Sequence, residues 1–129
     1  MDAKIYRCKH CGNMVVLIKD SGMPLVCCGE EMELLQANTV DMAHEKHVPV
    51  CSQDGCKIHV DIGAQEHPMQ KEHFIEWICL LTDKGSQCKW LCPGCPPRTC
   101  FKLCKDEKPL AVYAYCNIHG LWKCECTHK

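Results

Sequence analysis

An excess of charge of one sign is missing from this 129-residue chain: 15 basic and 16 acidic side chains are interspersed, for a net charge of -1. A balance of that kind builds no broad field for gripping a phosphate backbone or an anionic lipid surface, so neither nucleic acid nor membrane is expected as a partner. Long apolar runs are missing too. No stretch approaches the roughly 18 uninterrupted apolar residues of a spanning helix, and the segment Met1 to Cys8 carries no apolar export core. The expectation is a soluble, unexported, cytoplasmic protein. There is also no internal repeat, no Pro/Gly-rich linker and no pattern for a long helix.

What the chain has in excess is cysteine. Fifteen cysteines in 129 residues is roughly 12%, a level that marks a special scaffold. An exported protein would use them in disulfides, whereas a reducing cytosol favours metal thiolates or free thiols. Eight histidines tilt the reading toward metal.

The first 36 residues hold few apolar side chains: a run from Met14 to Ile18, a turn at Asp20-Ser21-Gly22, then Val26-Cys27-Cys28-Gly29. A unit this small cannot bury enough surface to offset its chain entropy and needs a metal or a cross-link. From Asn38 onward the pattern is one of short strands. Lys57 to Ile62 alternates, with Ile58, Val60 and Ile62 on one face, and His73 to Leu81 is apolar on both faces, as a buried strand is. Leu110 to Cys116 and Leu121 to Cys126 read as two more strands, separated by a turn at Asn117 to Gly120. The predicted architecture is mainly β, with a small metal-stabilised domain over residues 1–37 followed by an immunoglobulin-like β-sandwich over residues 38–129.

Cys-x-x-Cys spacing by itself is weak evidence here, because chance gives about 1.7 such pairs at this cysteine content and the chain has two. Cys8 and Cys11 rise above that background through Gly12, which lets backbone amides turn toward a sulfur, and through the second pair, Cys27 and Cys28. Adjacent cysteines reach one ion only with a strained chelate angle, which narrows the signature. The pattern Cys-x-x-Cys-Gly followed by Val-Cys-Cys-Gly resembles desulforedoxin, and the resemblance implies that Cys8, Cys11, Cys27 and Cys28 bind iron. Tetrahedral sulfur suits zinc equally well, so a zinc knuckle that only holds the fold stays open on the chemistry alone.

Four further pieces lie downstream: Glu45-Lys46-His47-Val48-Pro49, His67-Pro68-Met69, His73 with Phe74 to Ile78, and Cys116-Asn117-Ile118-His119-Gly120. In order and spacing they resemble the catalytic domain of desulfoferrodoxin, the two-iron class of superoxide reductase, and the likeness covers essentially the whole chain. It implies an iron held by His47, His67, His73 and His119 with Cys116 as axial thiolate. Five protein ligands of this type suit ferrous iron and leave a sixth position for a small oxidant. It also places Lys46 beside the open position, where an ammonium attracts the superoxide anion, and Glu45 where its carboxylate can take that position after turnover. The implied reaction is one-electron reduction of superoxide to hydrogen peroxide without release of dioxygen. Two irons per chain, a rubredoxin-like electron donor and a homodimer follow from the same resemblance. A passive electron carrier and a zinc-binding interaction module are the competing readings.

Ten cysteines fall outside this pattern: Cys51, Cys56, Cys79, Cys88, Cys92, Cys95, Cys100, Cys104, Cys124 and Cys126. The run Cys88, Cys92-Pro93-Gly94-Cys95, Cys100 and Cys104 is dense enough to suggest a third metal centre, against free thiols or redox-labile disulfides.

Overall fold

A computed structural model describes residues 2–38 and 44–126. The chain divides into two compact units, Met1–Gln36 and Ala37–Lys129.

The first unit consists of β1 (Ile5–Arg7), β2 (Met14–Val16), β3 (Val26–Cys27), β4 (Glu30–Glu31) and β5 (Glu33–Leu34). β1 lies between β2 and β5 in an antiparallel sheet, and β3 pairs with β4 in a separate hairpin. Among its described residues only Ile5 and Cys8 are buried. Two small side chains are no core, which matches the expectation that something other than apolar packing holds this unit together.

The second unit opens with one helical turn, α1 (His44–His47), followed by seven strands: β6 (Pro49–Asp54), β7 (Lys57–Ile62), β8 (Ile75–Thr82), β9 (Gly85–Trp90), β10 (Arg98–Lys102), β11 (Pro109–Cys116) and β12 (Gly120–Glu125). They form two antiparallel sheets, of order β10-β7-β6 and β12-β11-β8-β9. Alternation in β7 turns Ile58, Val60 and Ile62 inward, and Phe101 of β10 joins them. Facing these are Ile75, Ile78 and Leu80 of β8, Val112, Ala114 and Cys116 of β11, and Trp122 of β12. The result is the expected β-sandwich, with central strands β8 and β11 apolar on both faces.

One glycine has a role that reaches the functional residues. Gly63, just past β7, has φ +83°, and a Cβ there would lie 2.6 Å from the Lys46 carbonyl carbon and oxygen and 2.4 Å from the Gln65 carbonyl oxygen. Only a residue without a side chain lets the Lys46 backbone lie against this turn. The turn thereby seats the segment that carries Lys46 and His47 at the end of the sandwich.

Candidate metal centres

The four cysteines of the first unit converge. Their sulfurs all lie within 4.8 Å of one another, with Cys11 to Cys27 at 3.6 Å and Cys27 to Cys28 at 4.0 Å. Four sulfurs at about 2.3 Å from one ion, at tetrahedral angles, stand about 3.8 Å apart, so the set fits a tetrahedral metal. Backbone geometry makes this reachable for two adjacent cysteines: Cys28 has φ 53° and Gly29 φ 74°, a left-handed bend that swings both thiols to one side. At the other knuckle the Gly12 amide donates to the Cys8 carbonyl oxygen at 3.0 Å, and Gly12 itself has φ 82°. Backbone donors from Cys11 and His10 draw the Cys8 thiol down to about 6, while the neighbouring sulfurs push Cys28 up to about 12. Without a cation one thiolate forms at the expense of its neighbours. A bound divalent ion removes that conflict.

The second set is built at the end of the sandwich from four separate stretches. His47 ends α1, His67 and His73 lie in the connection between β7 and β8, Cys116 ends β11, and His119 precedes β12. The imidazoles form a closed ring, with centroids 4.6 Å apart for His47 and His67, 4.8 Å for His67 and His73, 5.0 Å for His73 and His119, and 4.7 Å for His119 and His47. Each ring meets the next nearly at a right angle, between 72° and 83°. His47, His67, His73 and Cys116 present ligand atoms all within 4.8 Å of one another. His119 joins them through its Nδ1, 3.0 Å from His47 Nε2 and 3.9 Å from Cys116 Sγ. Two nitrogens bound at right angles, each about 2.1 Å from a metal, stand about 3.0 Å apart, which is the His47–His119 distance.

Protonation is also set for a metal. The His67 Nδ1–H donates to its neighbour's carbonyl, Pro68 O, at 2.6 Å, and its Nε2 is buried with no hydrogen-bond partner, as is the Nε2 of His73. Burial pulls His67 down to about 4 and lowers His73 as well, so both rings are neutral near pH 7 and their unused lone pairs are available. Cys116 is wholly buried. That burial raises its thiol, against the pull of the His119 amide, which donates to the sulfur at 3.4 Å. A neutral thiol in this position is converted to thiolate only by a cation.

Two residues that support this ring were not marked as functional by the sequence pattern. Asn117 accepts from the Phe74 amide at 3.0 Å, donates to the Glu72 carbonyl at 3.0 Å, and uses its own amide on the Phe74 carbonyl at 3.2 Å, thereby tying His73 to the Cys116–His119 turn. Read as a turn residue, it gave no sign of a partner 43 residues away. Trp122, wholly buried, stacks on His47 with centroids 4.7 Å apart. As a member of an apolar strand it was indistinguishable from core.

Lys46 is exposed next to His47, close enough for its charge to lower His73. Glu45 belongs to α1, but its side chain lies outside the described residues. The run suggested as a third centre does not converge. Cys88 is bonded to Cys79 and Cys92 to Cys95, while Cys100 and Cys104 are free thiols. The reason is strand register: Cys79 and Cys88 face each other across β8 and β9 with Cα atoms 4.1 Å apart, so Cys88 is taken by its cross-strand neighbour.

Comparison with known proteins gives matches over both units. The desulfoferrodoxin family profile matches residues 39–125, and the profile of the desulfoferrodoxin N-terminal domain matches residues 2–35. A desulfoferrodoxin of Syntrophotalea carbinolica is 45% identical over 122 residues, covering 95% of each chain. A desulfoferrodoxin homolog of Archaeoglobus fulgidus is 42% identical over 120 residues, 93% of this chain and 94% of that one. The crystal structure of the superoxide reductase from Treponema pallidum superposes with a TM-score of 0.81 at 33% identity, over 97% of this chain and all of the other.

Proposed function

We propose, from the premise that this chain belongs to the desulfoferrodoxin family, that its superoxide reductase chemistry takes place at an iron held by His47, His67, His73, His119 and Cys116. The chain is a superoxide reductase, an oxidoreductase that converts superoxide to hydrogen peroxide. The observation that carries the assignment of the site is the closed ring of four imidazoles beside the buried Cys116, with the Nε2 atoms of His67 and His73 left without partners. Iron bound there supplies the single electron and an open coordination position for a small oxidant.

This chain's own residues do the rest. The five donors come from four separated stretches locked by Asn117 and the sandwich, so the ligand set is fixed before substrate arrives. The Lys46 ammonium attracts the superoxide anion and orients a water for proton delivery. With iron bound, Glu45, the residue before Lys46, would supply the carboxylate for the position that the product leaves. One electron and two protons turn one superoxide into one hydrogen peroxide, so no dioxygen forms and an external reductant is required.

Cys8, Cys11, Cys27 and Cys28 hold the second iron, in a desulforedoxin-like domain of residues 1–37 that precedes the catalytic domain of residues 38–129. That centre takes part in electron transport from a small carrier such as a rubredoxin. The chain works as a cytoplasmic homodimer. In support of the dimer, Val15, Ile18, Met23, Val26 and Leu34 are exposed on a unit of only 36 residues, with Ile18 99% accessible.

Metal analysis with visible spectroscopy tests the whole assignment. Two irons per chain, one with a tetrathiolate spectrum and one with a single cysteine-to-ferric band, together with superoxide consumption that evolves no dioxygen, are expected. Two zincs per chain, or dioxygen in dismutase proportion, overturn it.

A further inference from the structure

Three cysteines that take no part in either centre come together elsewhere in the sandwich. Cys51 lies in β6 and Cys124 in β12, the terminal strands of the two sheets, and their sulfurs are 3.4 Å apart. This is a thiol hydrogen bond, since a disulfide would bring the atoms to about 2.05 Å. Cys126, two residues further along the chain, lines the same cleft as Cys51 and is near enough to shift its ionisation. All three are partly buried and pack against the core. A cleft of about 210 Å³, lined among others by Gln53, Pro109 and Glu125, opens onto Cys51 and Cys126 but not Cys124.

Cys51 faces the Cys124 sulfur on one side and the cleft it shares with Cys126 on the other. The Cys124 thiol, with a smaller contribution from Cys126, lowers Cys51, while Cys51 and burial raise both Cys124 and Cys126. The thiolate is the nucleophilic form of cysteine, and Cys51, the sulfur of the three most readily ionised, borders a cleft wide enough for a molecule of a few atoms. It has two thiols within reach to complete a disulfide. Reactive cysteines that form sulfenic acids and then resolve them have this composition.

We propose that Cys51, Cys124 and Cys126 form a peroxide-reducing thiol site, with Cys51 the attacking sulfur and Cys124 or Cys126 the resolving one. The Cys51 thiolate attacks one oxygen of hydrogen peroxide. The O–O bond breaks, an S–O bond forms, and the departing hydroxide takes a proton to become water. The sulfur of Cys124 then attacks that of Cys51; the S–O bond breaks, an S–S bond forms, and the second water leaves with the Cys124 proton. Two thiols and one hydrogen peroxide become one disulfide and two waters. The supply of peroxide rests on the superoxide reductase reading, since peroxide is that reaction's product, but the thiol chemistry does not depend on it. Closure of Cys51 on Cys124 ties the edges of the two sheets together, so the reacted state is also a cross-linked sandwich.

The test uses the full-length ferric protein, treated with one equivalent of hydrogen peroxide, quenched by alkylation at intervals and mapped by peptide mass spectrometry. Cys51 is expected in a disulfide with Cys124 or Cys126, forming about tenfold or more faster than oxidation of the exposed thiols Cys56 and Cys104. Oxidation of Cys51 no faster than those two, or its accumulation as unpaired sulfinic acid, overturns the proposal. Cys51→Ser should abolish the fast phase without altering superoxide consumption, and Cys126→Ser should retain the Cys51–Cys124 product; a fast phase that survives Cys51→Ser also overturns it. In a second arm the protein receives superoxide and a reductant, with and without catalase. A catalase-sensitive disulfide supports both readings together. A disulfide formed with added peroxide but not with superoxide supports the thiol site and places the failure with the enzymatic reading.

Discussion

At the scale of single residues, Lys46 and Asn117 act in different ways and are separable by experiment. Lys46 offers an exposed charge beside the ring, so its contribution is long-range attraction, which salt screens within about 10 Å at 0.1 M. Lys46→Gln should lower the bimolecular rate with superoxide severalfold at low ionic strength, and pulse radiolysis across a salt series should show that deficit shrinking as salt rises, with iron content unchanged. An unaltered rate at low salt removes the steering role. Asn117 instead makes three hydrogen bonds to the Glu72–Phe74 segment. Asn117→Ala removes the two side-chain bonds, both open to water, at about 0.5–1.5 kcal/mol each at most, and frees His73 from its neighbour. Supporting partners of metal ligands typically contribute about 10–100-fold to affinity; iron titration of this variant should show a loss in that range at the histidine centre and none at the cysteine centre.

The acid response of the histidine ring belongs to the same scale. Burial holds the folded-state value of His67 down to about 4, below the ordinary 6.5, and lowers His73 too. Between those values the unfolded chain binds a proton that the folded one refuses, so stability is full above about pH 6.5 and falls as the pH drops toward 4. Metal release runs the same way, because protons compete for the same nitrogens. Denaturation midpoints measured from pH 8 to pH 4 should decline through this window together with loss of the cysteine-to-ferric band.

At the scale of elements, legibility followed position in the sheet. β7, β8 and β11 each have neighbours on both sides, and their apolar side chains follow the burial that a central strand imposes. Three of the sandwich's four edge strands gave no such pattern. β9 (Gly85–Trp90) is exposed at nearly every position, and β6 and β10 carry polar residues or cysteine where a core strand would carry valine or isoleucine. An edge strand is held by one ladder of backbone hydrogen bonds and few buried side chains, so its sequence is weakly constrained. The candidate ligands were legible for a different reason: imidazole and thiolate are rare enough in such local contexts that family likeness picked them out, whereas Asn117, Trp122 and the Cys51 cluster depend on contacts between distant segments that no local pattern announces. Gly63 shows the same dependence. Gly63→Ala would set a Cβ against the backbone of Lys46 and Gln65, at a φ that side chains resist. Displacement of the Lys46–His47 segment should follow, with a cost above about 2 kcal/mol, loss of the histidine-centre iron and retention of the tetrathiolate spectrum.

For the molecule as a whole, the two units should respond to metal removal in opposite ways. The sandwich encloses a cluster of wholly buried side chains drawn from both of its sheets, including Phe101, Ile75, Ile78, Leu80 and Trp122, and each large one contributes about 1.5–3 kcal/mol on burial. The disulfide between Cys79 and Cys88 adds a covalent tie between β8 and β9. The first unit buries Ile5 and Cys8, and what remains is a three-strand sheet of two- and three-residue strands and one hairpin. Ordering about 36 residues costs on the order of tens of kcal/mol in backbone entropy alone, and so little apolar burial does not offset it. The deficit falls on the four sulfurs, whose ion contributes its binding free energy directly to folding, as in other small metal-stabilised domains. Chelation should therefore leave amides of residues 2–36 exchanging at nearly unprotected rates while those of β7, β8 and β11 stay protected. Hydrogen exchange followed by mass spectrometry reads both halves in one experiment. Protection of the first unit that survives complete metal removal would mean that its short strands carry more stability than their burial provides, and that the metal serves electron flow alone.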